Sequence, residues 1–569
     1  MKKLINSPAT VVDEMIDGMI AAYPGIARLA GVNVLLRSDA EHVRDRQVAV
    51  ISGGGSGHEP AHAGYIGAGM LSAAVAGEVF TSPSSDSIFA AIKAVAGGPG
   101  ALLIVKNYTG DRLNFGVAAE VARAEGIPVE IVIVADDIAL AATQDSAGRR
   151  GIAGTVFVHK VAGAAAAEGK PLPEVARRAQ EAAAAIATMG VSLSAGTVPG
   201  VGKPSFTLSD TDVELGLGIH GEPGVQRAPL QSADALTDRL LDDILAAHSA
   251  RAGEHIALMI NNLGATTNME LAIIARRALD FLRSRRLVVQ RVFLGTFMSS
   301  LEMAGVSLSV LHLDQERLRL LDAPTTAPAW PNTAREVPSP PQDRTIPAPS
   351  PISRPSAQTV ASPAATKMQI AIEAACRALL EAQDALTEMD AAVGDGDLGI
   401  TLARGAAALR EALPAYPLND PAETLKAIGQ TLQRVLGGSS GPLYGVLFLR
   451  AASVLNTEGA ATPALWAQSI DEACRAVSEL GGATAGDRTM LDALFPFADT
   501  FRAELEKGAP LSDALRTSVS AAEKGAEATA QMKPRRGRSS YLGDRTLGHP
   551  DPGAVAVALW LRAVASALT

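Results

Sequence analysis

Residues 47–62 read "QVAVISGGGSGHEPAH". A short β-branched run breaks into glycines, and His58 follows within three residues of Gly55. Two later stretches repeat the design. "ALLIVKNYTGD" (101–111) ends on Lys106 and Asp111, and "VEIVIVADD" (129–137) ends on Asp136 and Asp137. Each is an apolar strand that stops in a polar or glycine-rich loop and is followed by an Ala-rich helical segment. That alternation predicts an α/β unit with a largely parallel sheet. Active residues in such folds sit in loops at the carboxyl ends of strands, which is where His58, Asp111 and Asp136/Asp137 fall. A second set, "IALMINNLG" (256–264), "VVQRVFLGT" (288–296) and "VSLSVLHLD" (306–314), predicts another α/β unit from about residue 190 to 320.

Further along, "GLGIHGEPG" (216–224) echoes "GHEP", with His220 placed where a run of small and apolar residues gives way to a Gly-Glu-Pro-Gly turn. A lone loop histidine is more often structural than catalytic. Two of them in glycine-rich turns, beside an Asp-bearing loop, suggest one pocket containing Gly55, His58, Lys106, Asp111 and His220. His42, His62, His159, His248, His255, His312 and His549 lack such surroundings and read as structural or surface residues.

The composition limits the alternatives. At 569 residues the chain exceeds one core. It is 47% hydrophobic and 19% charged, as expected of a globular protein. A net charge of −10 argues against a nucleic-acid partner. Two cysteines, Cys376 and Cys474, cannot build a disulfide framework or a zinc set, which points to a reducing cytoplasm. The first residues lack the apolar run of a signal peptide, and no stretch of about 18 apolar residues predicts a membrane span.

Eleven of the 33 prolines lie between Pro324 and Pro363, which marks a linker at 324–366. As a flexible coil it would span on the order of 35 Å. It separates an α/β part (1–323) from a C-terminal part (367–569). There Ile372, Leu379 and Leu386 trace one helical face, and Ala- and Leu-rich runs recur at helical spacing. These predict an all-α barrel or bundle of about eight helices.

Three loops of that part carry chemistry. "DAAVGDGDLG" (390–399) brings Asp390, Asp395 and Asp397 together between glycines, and hard carboxylate oxygens suit Mg²⁺. Three carboxylates point to two ions. An EF-hand is excluded, since its twelfth position would be Ala406. "GGSSGPLYG" (437–445) sets Gly438, Ser439 and Ser440 before a helix that starts after Pro442, an anion cradle. "GDRTMLDAL" (486–494) supplies Gly486 and Asp487, and "GRSSYLGDRTLGHPDPGA" (537–554) supplies Arg538 and Asp551. Together they describe a nucleoside triphosphate site without a P-loop. "GTVPGVGKPS" (196–205) only imitates one: Thr197 and Pro204 stand where a glycine and the Mg²⁺-binding hydroxyl belong.

With these motifs in order, the chain resembles the single-chain, ATP-dependent dihydroxyacetone (glycerone) kinases. The resemblance implies a ketone-binding N-terminal domain and an ATP-binding helical C-terminal domain. It implies that His220 bonds covalently to the substrate carbonyl as a hemiaminal, that Asp111 is the base for the attacking hydroxyl, and that His58 hydrogen-bonds the substrate beside Gly55 and Lys106. Asp390, Asp395 and Asp397 would hold two Mg²⁺, with Ser439 and Ser440 on the phosphates. A homodimer follows from the same resemblance, with a linker long enough to let the two domains be exchanged between subunits. Leu398 stands where family members often have His. Coactivator relatives lack the His and Asp set that this chain keeps. A four-carbon ketose such as erythrulose is an alternative substrate, and splitting of FAD to cyclic FMN an alternative activity. A carrier-dependent phosphotransferase and a non-enzymatic carbonyl sensor are further alternatives; the first is disfavoured by the absence of a phosphocarrier domain.

Overall fold

The computed structural model describes residues 2–140, 148–201, 203–332, 362–394, 396–437, 439–456, 461–535 and 546–569. Of the candidate residues, Asp395, Gly438 and Arg538 lie outside these ranges. The chain divides into two compact units, Met1–Ile346 and Pro347–Thr569.

Unit one holds two six-stranded sheets. The first uses β1 (Ile26–Arg28), β2 (Val34–Arg37), β3 (Ala49–Ser56), β4 (Ala73–Val79), β5 (Ala101–Lys106) and β6 (Val129–Val134). Their order is β1-β2-β4-β3-β5-β6, with the inner pairs β4/β3, β3/β5 and β5/β6 parallel. Helices α1 (Val11–Ala22), α2 (Ala40–Val43), α3 (Ser85–Val95) and α4 (Thr109–Ala124) come from this half. β5 is buried at every position, the signature of a strand covered on both faces. Next come α5 (Thr155–Ala167) and α6 (Leu172–Ala184), and of these α5 is almost wholly buried.

The second sheet is formed by β7 (Ile186–Ser192), β8 (Asp212–Leu215), β9 (Gln226–Pro229), β10 (His255–Asn262), β11 (Val288–Gly295) and β12 (Gly305–His312). Its order is β11-β10-β12-β7-β8-β9. Only β10/β11 is parallel, joined through α8 (Asn268–Ser284) after α7 (Ala233–His248). An alternating pattern predicts the elements here better than their direction: only one neighbouring pair needs a parallel crossover, while β7–β8, β8–β9 and β11–β12 connect by loops and α7 carries the chain from β9 to β10. β8 stops at Leu215, so His220 does not end a strand but sits within the connection to β9.

The linker starts later than the prolines indicate. After α9 (Gln315–Asp322), residues 324–332 pack as a strap on unit one. Thr326 N donates to Ala68 O at 3.1 Å and Ala329 N to Gly64 O at 2.9 Å. Trp330 is buried against Phe293, with ring centroids 4.8 Å apart. Proline restricts a segment without unfolding it when an aromatic side chain anchors it.

The first helix of unit two starts before position 367: Ser362 caps α10 (Pro363–Glu381) through a bond from Ala365 N to its hydroxyl. The single face read across 372–389 is two helices, α10 and α11 (Gln383–Val393), broken at Ala382. Then follow α12 (Leu398–Ala412), α13 (Pro421–Val435), α14 (Ser440–Leu455), α15 (Pro463–Gly481), α16 (Leu491–Glu506), α17 (Leu511–Ala528) and α18 (Pro552–Leu568). Nine α-helices are thus present among the described residues. From α12 to α18 each packs on the next, while α10 touches both α12 and α18, which closes the ring around one apolar core. No helix among the described residues is long and apolar enough to cross a membrane.

Candidate functional site

Three loops of unit one meet at the two histidines. The segment 297–301, between β11 and β12, staples both histidine turns. Ser299 N donates to His58 O at 3.1 Å, and Ser299 Oγ to Glu59 O at 2.8 Å. Ser300 Oγ donates to Ile219 O at 2.8 Å. The rings of His58 and His220 are 4.9 Å apart, nearly perpendicular, within a cage made by Phe80 and Tyr108. Glycine permits the approach: a side chain at Gly55 would meet Thr81 N at 2.5 Å, and Gly221 turns the chain at φ +78°.

Each histidine has a defined chemistry. His58 Nδ1 lies 3.0 Å from Ser299 O, and a carbonyl only accepts, so Nδ1 carries the proton. Burial, with the charges of His220 and Lys106, holds the ring well below the usual imidazole range, and therefore neutral. Its Nε2 is then a bare acceptor, buried and without a partner among the described residues. His220 is pushed down to about 3, by burial first and then by Lys106 and Arg150. It too is neutral near pH 7, with a ring lone pair available for bonding.

The turn that presents His220 is braced from below. Glu222 Oε2 accepts from His220 N at 2.9 Å, and its other oxygen is 3.2 Å from Arg150 Nη1. Arg150 also pairs with Asp137 at 2.7 Å and donates to Gly216 O at 2.8 Å. The carboxylate after β6 thus anchors a loop of the other sheet. Glu59 plays the same part in the first turn, accepting from Gly57 N at 3.1 Å. Asp136 accepts from Ile152 N and Gly154 N at the start of α5 and serves the fold.

Asp111 is 3% exposed and lies not in a loop but in the first turn of α4. Its Oδ2 is 3.6 Å from Lys106 Nζ. Lys106 is fully buried; Nζ donates to Gly53 O at 3.0 Å and lies 2.8 Å from His62 Nε2. His62, read from sequence as structural, is therefore part of this site. The available signal was its place four residues after His58 in the same turn.

In unit two the acidic loop joins α11 to α12. Asp390 Oδ2 accepts from Asp397 N at 3.0 Å and Leu398 N at 3.1 Å, so it caps α12 from the preceding helix. Gly394 wraps closely around it: a side chain there would come within 2.5 Å of Asp390 Oδ1. Asp551 caps α18, accepting from Ala554 N at 2.8 Å. Burial raises its pKa to about 6 against the pull of the Ala554 bond and Arg488, and the charges of Asp492 and Asp390 add to the rise. Among the described residues Asp390, Asp492 and Asp551 share this end of the barrel with the buried Arg488, and Arg535 lies 3.7 Å from Asp487. Hard carboxylate oxygens such as these fit Mg²⁺. Among the described residues no group of three metal-binding side chains converges, and Asp395 lies outside them.

The remaining candidates are less uniform. Helix α14 starts at Ser440, two residues before Pro442, with Ser439 as its N-cap and no side-chain cap bond. Gly486 N donates to Asp492 Oδ1 at 2.5 Å. Asp487 spends Oδ2 on its own loop, accepting from Thr484 N at 2.9 Å. Arg488, which the sequence reading passed over, is 1% exposed at φ +62°. It donates to His549 O at 2.9 Å and so ties that loop to the segment before α18.

An α/β unit with paired neutral histidines is thus followed by a helical ring with an acidic loop. A family model described as the Dak1 domain matches residues 17–329, and the DAK2 domain model matches 392–566. The chain belongs to the dihydroxyacetone kinase family. It is 49% identical to a protein of Solanum lycopersicum provisionally named 3,4-dihydroxy-2-butanone kinase, over 100% of this chain and 98% of that one. Human triokinase/FMN cyclase is 46% identical, over 100% and 99%. The crystal structure of the dihydroxyacetone kinase from C. freundii, in complex with AMP-PNP and Mg²⁺, is 37% identical, covers 99% of both chains and has a TM-score of 0.64.

Proposed function

We propose that this chain phosphorylates dihydroxyacetone with ATP, holding the ketone covalently on His220. The observation that carries the reading is a neutral His220 ring facing an equally neutral His58 whose Nε2 is open as an acceptor. A triose has six heavy atoms, so non-covalent contacts alone hold it weakly. The unprotonated ring nitrogen attacks the carbonyl carbon; the C=O π-bond closes onto oxygen, which takes the proton the ring gives up. No water leaves. His58 Nε2 accepts from a substrate hydroxyl, which fixes the adduct's orientation. Asp111 then takes the proton of the terminal hydroxyl as that oxygen attacks the γ-phosphorus, and ADP departs.

Asp390, Asp395 and Asp397 would hold Mg²⁺, which when bound neutralises triphosphate charge; two ions match the number of carboxylates. Ser439 and Ser440, with Gly438, Gly486, Asp487, Arg538 and Asp551, are proposed to surround the nucleotide. The AMP-PNP and Mg²⁺ of the C. freundii complex support this assignment. A homodimer in the cytoplasm completes the proposal, the dimer to be checked by light scattering.

Selection by a covalent bond requires a carbonyl and not a chain length. Relatives named for a four-carbon ketone and for triokinase/FMN cyclase activities support erythrulose phosphorylation or FAD cleavage as the second reading. ADP release is to be measured with dihydroxyacetone, both erythrulose enantiomers, glyceraldehyde and glycerol side by side, without any carrier protein. Dihydroxyacetone is expected to turn over fastest and glycerol not at all. Glycerol turning over as fast as the ketones would contradict capture through a carbonyl.

A further inference from the structure

The Lys106 ammonium has three N–H donors and three acceptors around it. Gly53 O is at 3.0 Å, His62 Nε2 at 2.8 Å and Asp111 Oδ2 at 3.6 Å. A charged N–H···O⁻ bond normally closes to about 2.7–2.9 Å, so Lys106 stands back from the carboxylate with which it is paired. What holds it back is the other two acceptors. Gly53 is part of β3 and fixed by the sheet, so the distinguishing partner is His62.

The His62 ring has one arrangement that suits this pairing. With Nε2 accepting from the ammonium, its proton sits on Nδ1, which is buried and without a partner among the described residues. Behind it lies the edge of the His159 ring, 5.1 Å away, whose nitrogens are likewise unpartnered. The other titratable group that Lys106 acts on from the loops is the His58/His220 pair. All four imidazoles are depressed by burial and neutral. Among the described residues Asp111 is therefore the one anionic neighbour that Lys106 meets.

We propose that His62 is a positioning residue for phosphoryl transfer: it draws one Lys106 N–H away from Asp111, keeps the ammonium 3.6 Å from the carboxylate, and so leaves Asp111 Oδ2 open to accept from the substrate's hydroxyl. Without that acceptor Lys106 closes onto Asp111 and occupies the oxygen that the substrate's hydroxyl needs. The inference rests on Asp111 acting as the base.

The test compares His62→Leu with His62→Gln in the full-length enzyme, Gln placing an acceptor oxygen near the position of Nε2. His62→Leu is expected to lower kcat by roughly tenfold or more, with KM for the ketone within about threefold of wild type. The ketone adduct on His220 should persist, and His62→Gln should recover most of kcat. A His62→Leu enzyme with wild-type kcat overturns the proposal, and so does His62→Gln being as impaired as the leucine variant. Should His62→Leu fail to fold, ¹⁵N NMR of wild type decides: Nε2 unprotonated and Nδ1 protonated supports the proposal, and the reverse tautomer overturns it. An Asp111→Asn enzyme that keeps full kcat would instead sink the assignment of the base, whatever His62 does.

Discussion

The two units build their sites by opposite means. In unit one the groups around the ketone site are buried, neutral or fully paired: His58 and His220 are discharged by burial, and Lys106 has an acceptor for each N–H. In unit two the loops gather carboxylates, and burial first, then the charges of Asp492 and Asp390, lift Asp551 to about 6. The contrast matches the ligands we propose. A small uncharged ketone offers little to bind, which suits a dry site with a neutral nucleophile. A triphosphate with its metal brings charge of both signs, which suits a site of clustered carboxylates.

Variants that uncouple the two sites test that contrast most strongly. Asp397→Ala should lower ATP turnover by roughly 10³-fold while the ketone adduct forms at its wild-type level. Loss of both in a folded protein would break the division of labour. Substitution of the brace in unit one should have a smaller effect. Arg150→Ala releases Glu222, Asp137 and the Gly216 carbonyl together, so the His220 turn loses its fixed orientation. Adduct formation is expected to need roughly tenfold more ketone, with the Mg-ATP dependence unchanged. An unaltered ketone requirement would mean that the turn holds itself.

The smallest effect expected is on stability below neutral pH. His58, His62, His159 and His220 have folded-state pKa values below the unfolded value of about 6.5. The unfolded chain therefore binds more protons, and the stability they contribute above pH 6.5 is lost as pH falls towards 3. Thermal melts from pH 7.5 to 5 should show Tm falling, and falling less in His159→Phe, which removes a buried imidazole that has no hydrogen bond. A Tm that is flat across this window would contradict their burial in neutral form.

The strands were legible because β3, β5 and β6 each carry a short β-branched apolar run that ends in glycine or charge. The histidine turns were legible because Gly-rich loops after strands have few structural reasons to hold an imidazole. Strand direction in the second sheet was not legible, since period-two alternation is blind to which way a neighbour runs. His62 was missed because its partner Lys106 is 44 positions away, on β5, and only the parallel β3/β5 pairing brings them together. Arg150 and Glu222 were invisible for the same reason: their link crosses from one sheet to the other. The strap at 324–332 was misread because proline content reports chain stiffness and not whether Trp330 has a slot to fill.

Native mass spectrometry of the full chain with dihydroxyacetone at pH 7 and pH 5 tests the central claim most directly. A neutral His220, pushed down to about 3, should give an adduct heavier by the whole ketone, without loss of water, at both pH values, mapping to the peptide that carries His220 and absent in His220→Ala. An adduct that persists in His220→Ala, or one that forms with loss of water on a lysine, would contradict it.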